Sequence, residues 1–169
     1  MLAVGGLALG ACAEAEDRPN GVAACELLAP AEVTEILQGP VAPPAASRSS
    51  ATDALAGRSG CAWATTDDAK AVLVQLVRTG DMADEVRRTG FSAAARFDAA
   101  RGRHPDAREV PGVGDKAVYV EEAATLHVLV GQSYLTFEVA ATPPSEVEAM
   151  AVALARQAVA RLARSGQAD

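Results

Sequence analysis

Three cysteines with unlike surroundings hold most of the reactive chemistry of this chain. Cys12 closes the run Leu9-Gly10-Ala11-Cys12, behind an apolar stretch over residues 2–9. Small residues and a cysteine at the end of an apolar run read as a lipobox, the signal for removing a secretory leader and attaching lipid to the new N-terminal cysteine. The run is far shorter than the roughly 20 residues that span a bilayer. The basic segment expected before it is missing, so residues 1–11 are read as a partial lipoprotein signal peptide. Residues 12–21 are polar and acidic, without apolar periodicity, and are expected to be the lipidated Cys12 followed by a flexible tether. The competing reading docks the apolar segment on the domain with Cys12 as a buried thiol. If Cys12 takes lipid, Cys25 and Cys61 remain, 36 residues apart. Export then makes a disulfide between them permissible, against two buried free thiols in a cytosolic protein. A zinc site is not indicated, because there is no CxxC and the histidines are His104 and His127.

Acid–base and nucleophilic candidates are few. His127 alternates with Leu126 and Val128, so it faces away from them and could meet Tyr119, Tyr134 or Glu138 on neighbouring strands. That arrangement suits a satisfied structural histidine first, a polar ligand patch second, and proton transfer in an envelope enzyme third. Trp63, two residues from Cys61, is expected to pack on the disulfide, with a ligand platform as the alternative. Asp67-Asp68 and Glu121-Glu122 are adjacent pairs, which in a turn are solvated and in a strand point apart. Gly112-Val-Gly-Asp-Lys-Ala117 matches GxGxxG/A in letters only. A dinucleotide site needs a strand before the glycines and a helix after them, and here a loop precedes and a strand follows. No serine stands in a nucleophile elbow and no calcium loop is present. No catalytic residue, metal or cofactor is assigned.

Charge narrows the partners. The net charge is −7 and the pI about 4.8, which argues against general nucleic-acid binding. One stretch departs from this: between Arg87 and Arg108 lie six arginines against Asp98 and Asp106. Its plain reading is a solvated helix face and loop; its sharper reading is a contact for an anionic surface or partner, led by Arg87 and Arg88.

These residues must be positioned by a modest core. Half the residues are hydrophobic, but 39 are alanine and the aromatics are one Trp, two Tyr and three Phe, so Val, Leu and Ile must dominate. Residues 22–169 suffice for one domain. Residues 25–39 read as a short helical region, with Pro30 near a helix start, Gly39 at C′ and Pro40 blocking continuation. Residues 41–60 are Pro-, Ala-, Ser- and Gly-rich and read as a long loop, or as a loop hiding a short strand near Val41. Two strands (61–65 and 71–77) form a hairpin. A helix over 81–101 is expected with Asp81 as N-cap and a break at Gly90, followed by a loop over 102–114. Strands at 116–121, 125–130 and 133–140 make a meander, with Gly131-Gln132 as a two-residue turn. A final helix follows, with a capping box of Ser145 and Glu148 and the stripe Val147, Met150, Ala151, Leu154, Ala158 and Leu162. The fold class is α+β: an antiparallel sheet of about five strands with helices packed on it, in the order α-β-β-α-β-β-β-α.

The pattern Cys25-Glu-Leu-Leu-Ala-Pro-Ala-Glu-Val33 with Gly39, then Cys61-Ala-Trp63, then Pro111-Gly-Val-Gly-Asp115, then a strand pair and a C-terminal helix, resembles an uncharacterised family of cell-envelope lipoproteins abundant in actinobacteria, a domain of unknown function. The resemblance covers most of residues 25–163 through short motifs. It implies a Cys25–Cys61 pair and a compact α/β sandwich of the PsbP-like kind, and it transfers no catalytic residue.

The expected function is a non-catalytic extracytoplasmic module, held in the cell envelope or periplasm by lipid on Cys12, that binds a protein partner or an envelope component. The alternatives are a carrier of a small ligand between sheet and helices, with Trp63, Tyr119, His127, Tyr134, Arg87 and Arg88 as possible contacts, and an envelope enzyme using His127.

Overall fold

The computed structural model describes residues 22–48 and 57–166. The lipobox with Cys12, the tether and part of the 41–60 loop lie outside the described residues. Helix α1 (Pro30–Leu37) begins with Pro at its first position, and the Glu32 carboxylate accepts the Ala29 N–H at 2.7 Å. Its left-handed C-terminal residue is Gln38 (φ 57°) rather than Gly39. The strands are β1 (Ala45–Arg48), β2 (Arg58–Ala64), β3 (Ala71–Arg78), β4 (Arg108–Glu109), β5 (Lys116–Val120), β6 (Thr125–Val130) and β7 (Ser133–Ala140). Between β3 and β4 come α2 (Asp84–Arg88) and α3 (Ala93–Arg103), and α4 (Val147–Ser165) ends the fold. All seven strands form one antiparallel sheet in the order β1-β2-β3-β7-β6-β5-β4.

The α+β class and the antiparallel sheet are as expected, but the sheet has seven strands rather than about five. Both additional strands are edge strands. β1 is Ala-Ala-Ser-Arg and β4 is Arg-Glu. Neither has a large apolar residue to alternate, so only backbone pairing defines them. The helix expected over 81–101 is two helices. Gly90 breaks it in a left-handed conformation (φ 85°). Asp81 does not cap it: Ser92 Oγ accepts the Ala95 N–H at 3.1 Å, and Thr79 Oγ1 at the end of β3 accepts the Ala93 N–H at 3.0 Å. Ser145 makes no capping box, because Pro144–Glu146 form a 3₁₀ turn ahead of α4. The predicted stripe of α4 is buried in full.

The two faces of the sheet are unequally covered. On one, α1 and α4 pack over Cys61, Trp63, Val74, Leu126, Leu135 and Phe137. Arg161 of α4 pairs with Glu32 of α1 at 2.9 Å across this layer. On the other, α3 lays Ala93, Phe97 and Ala100 over β6 and β7, against Val77, Val118, Leu129 and Tyr134. α3 leaves the β1–β2 side of that face uncovered: Ala45, Glu138 and Ala140 are exposed, and Ala62 and Leu73 half-buried. The Cys25–Cys61 disulfide, with its Cα atoms 5.0 Å apart, ties the chain ahead of α1 to β2. A disulfide is the chemistry of an oxidising, extracytoplasmic compartment. Among the described residues no helix is long and apolar enough to cross a membrane.

Candidate functional site

Strand register decides which candidate residues meet. His127 pairs with Thr136 and Val118 on the α3 face, and Tyr134 lies one diagonal step away on β7. Its Nδ1 and the Tyr134 hydroxyl share a hydrogen bond of 2.6 Å, with ring planes parallel and centroids 6.0 Å apart. His104, just past α3, stacks on the His127 ring with centroids 6.3 Å apart. Tyr119 pairs with Leu126 and therefore lies on the α4 face, under Arg108 and away from His127. A patch joining Tyr119 to His127 is thus excluded by strand alternation. Trp63 is a core residue, 2 % exposed, on the same face as the disulfide, so its ring offers no open ligand platform.

Burial first, then the charges of His104 and Arg103, lower the His127 pKa from 6.5 to about 4. Burial also pushes the Tyr134 hydroxyl up to about 12. At pH 7 both groups are therefore neutral, and His127 is a weak base. The groups facing His127 are Tyr134 and Thr136 from β7, Val118 from β5, and Arg103 and His104 from the end of α3. The unfolded chain binds a proton at His127 near pH 6.5 and the folded chain only near pH 4, so acidification through that window favours unfolding. The expected loss between pH 6.5 and 4 is about 2 kcal/mol. Urea unfolding of wild type and His127→Gln across the window checks it. Equal pH slopes in the two proteins would show that His127 contributes nothing.

Beside this buried pair lies a cleft of about 320 Å³ between α3 and the uncovered part of the sheet. Its floor is Gln75, Thr136 and Glu138, its inner end Val77 and Tyr134, and its helix wall Ala95, Arg96, Ala99 and Arg103, with Phe91 and Arg58 at the sides. The register explains this floor: Gln75 pairs with Thr136, and Arg58 with Val77, so all four point to the α3 side. The alanines at 95 and 99 keep the helix wall low, which leaves room for the two arginines on the same helix face. Arg96 stacks over the Phe91 ring at 5.1 Å.

Among the described residues, two polar atoms of the cleft are buried without a hydrogen-bond partner, Arg96 Nη1 and Thr136 Oγ1. Thr136 is 7 % exposed. Burial, with Arg58 and Arg103 close by, lowers the Arg96 pKa against the opposing effect of Tyr134. Buried polar groups are nearly always paired, and an unpaired one costs about 1–3 kcal/mol, more when charged. A third such atom, Trp63 Nε1, lies on the opposite face of the sheet; the two in the cleft share a space where water or a group from outside the chain would complete their hydrogen bonds.

The basic stretch of the sequence is resolved into separate roles. Arg87 pairs with Asp84 on the exposed surface of α2, and Arg88 bonds the Asp84 carbonyl. These two, singled out from sequence, are solvated and lie outside the cleft lining. Arg101 pairs with Glu109 and Arg108 with Glu148. Among the described residues, Arg96 and Arg103 make no ion pair. Arg58, Gln75, Phe91 and Thr136 were not singled out, because three come from separate strands that only register brings together. The glycine run 112–114 lies in the hairpin between β4 and β5. Gly114 holds φ 61°, and a Cβ there would sit 2.6 Å from the Leu129 carbonyl oxygen, so its glycine serves close packing and not a phosphate loop.

Set against protein-family models, curated proteins and solved structures, the chain matches none of them. The functional reading therefore rests on the geometry above. Among the described residues no group of three or more His, Cys, Asp or Glu could hold a metal ion.

Proposed function

We propose that the protein is a lipid-anchored, extracytoplasmic binding module that takes a small envelope component into the cleft between α3 and the sheet and performs no chemistry on it. The observation that carries this reading is the pair of unpartnered buried polar atoms, Arg96 Nη1 and Thr136 Oγ1, lining one cleft of about 320 Å³. That volume is at the lower end of small-ligand sites, which combine apolar walls with a few convergent polar groups. The disulfide supports the address, because it is the chemistry of an oxidising compartment. The absence of a catalytic role for His127 in this reading follows from its low basicity and its hydrogen bond to Tyr134. A small ligand is favoured over a protein partner because the unsatisfied groups are recessed under α3 and not spread over an exposed face.

Intact-mass measurement of the protein extracted from its host membrane tests both parts. The expected denatured mass is a chain starting at Cys12 with a diacylglycerol-sized addition and a two-proton gain on reduction. The expected native mass carries a further non-covalent adduct, lost when Phe91, Arg96 and Thr136 are all replaced by alanine. An unmodified chain retaining residues before Cys12 would overturn the address. A native mass without adduct, together with failure of every probe described below, would overturn the ligand-binding reading.

A further inference from the structure

The nature of the cleft identifies the chemical class of its ligand. The chain as a whole carries −7, yet among the described residues three arginines line this cleft with one carboxylate, Glu138, at its exposed rim. Arg96 is fixed from one side by Phe91, which holds its guanidinium plane, and its buried Nη1 donors have no acceptor. Arg103 lies along the same helix wall, and Arg58 of β2 lies at the side. Thr136 adds a buried hydroxyl from the floor. Guanidinium groups are planar forks that bind oxyanions by paired N–H donors, and such charge-assisted bonds are about twice as strong as neutral ones. A planar carboxylate presents its acceptors in one plane. Donors arriving from a helix wall and from the floor of the sheet suit a tetrahedral oxyanion better.

Resting on the binding reading above, we infer that the cleft is a phosphate-group site, with Arg96 and Arg103 as the principal ligands and Thr136 donating from the floor. The phosphate can belong to a lipid headgroup or to a soluble phosphate. The surface beside the cleft suits either: the uncovered floor of the sheet, with Ala62, Leu73 and Ala140, is apolar and could carry the body of an amphipathic molecule.

The test is a ¹⁵N NMR titration of the full chain with inorganic phosphate, and a flotation assay with vesicles of neutral phospholipid alone or with one-fifth anionic phospholipid. Saturable phosphate shifts on residues of α3, β3 and β7, weakened at least tenfold by Arg96→Gln and by Arg103→Gln but not by Arg88→Gln, would establish a soluble phosphate site. No phosphate shifts, but flotation only with anionic vesicles and the same dependence on Arg96 and Arg103, would establish a headgroup site. Arg103 is exposed, so its variant keeps the test valid if Arg96→Gln is poorly folded. Shifts centred on Arg87 and Arg88, or binding indifferent to Arg96→Gln and Arg103→Gln, would overturn the inference. So would a native adduct whose mass and fragmentation contain no acid group, in which case the cleft would still be a binding site. Failure of both probes together with an adduct-free native mass would remove the cleft as a site altogether.

Discussion

Replacing Cys25 by Ser and Cys61 by Ala is expected to destabilise the protein by about 4 kcal/mol, from the entropy of a closed loop of this size. The loop between them is 36 residues long and contains α1, β1 and the connection to β2, so the unbridged chain gains freedom over a large segment. The native side of the balance is also affected. Cys61 is fully buried, and the 3₁₀ turn Ala24–Glu26 is held to β2 by the disulfide and by the Ala24 N–H donated to Ser59 Oγ at 3.0 Å. At about 2–4 °C per kcal/mol for a domain of this size, the melting temperature should fall by about 8–16 °C. Thermal unfolding with and without reductant, and of the double variant, measures this. The reduced wild type and the double variant should melt together. A reductant-induced shift below about 2 °C would mean that the bond is absent or that the reduced chain already holds this segment in place. Alkylation before and after reduction separates these two cases.

What the sequence made legible follows how each element is stabilised. α4 and strands β3, β6 and β7 were readable because their apolar residues repeat at the period of the element and are buried accordingly. β4 was not, and β1 only as the alternative of a short strand near Val41, where Val41 bridges to Thr65, because both contribute backbone hydrogen bonds at sheet edges and no apolar side chain of size. The break at Gly90 was visible from residue type, whereas the true caps Ser92 and Thr79 were not, since Thr79 is 14 residues from the N–H it accepts. The site shows the same division. The basic stretch read first as a solvated helix face and loop, which holds for Arg87 and Arg88; only the fold separates from them Arg96 and Arg103, which line the cleft. His127 was readable as a structural histidine; its partner Tyr134 and the exclusion of Tyr119 required the register of β5, β6 and β7.

The cleft exists only while α3 stays on the sheet, and that docking depends on few side chains. Of the eleven residues of α3, the buried ones are Ala93, Phe97 and Ala100, so Phe97 supplies nearly all the large apolar contact. It is fully buried and meets Tyr134 edge-on with ring centroids 6.4 Å apart. Phe97→Ala is expected to cost about 3–4 kcal/mol, combining lost burial, the cavity left behind and the aromatic pair. Because Tyr134 also holds His127, the loss should extend into the sheet and not stop at the helix. Trp63 is the single tryptophan and sits in the opposite core layer, so its fluorescence in urea reports the global transition. Amide exchange over residues 93–103 reports the helix itself, and should accelerate by more than a hundredfold if about 3 kcal/mol of docking is lost. Leu154→Ala, on α4 and fully buried, provides the comparison. It should cost a similar amount, about 2–5 kcal/mol, yet leave the phosphate response of the surviving folded protein intact. Phe97→Ala should weaken that response at least tenfold, because Arg96 and Arg103 lose their fixed position relative to Thr136. A cost below about 1 kcal/mol would show that α3 is held by other contacts. An undiminished phosphate response in Phe97→Ala would show that the arginines need no wall behind them to bind.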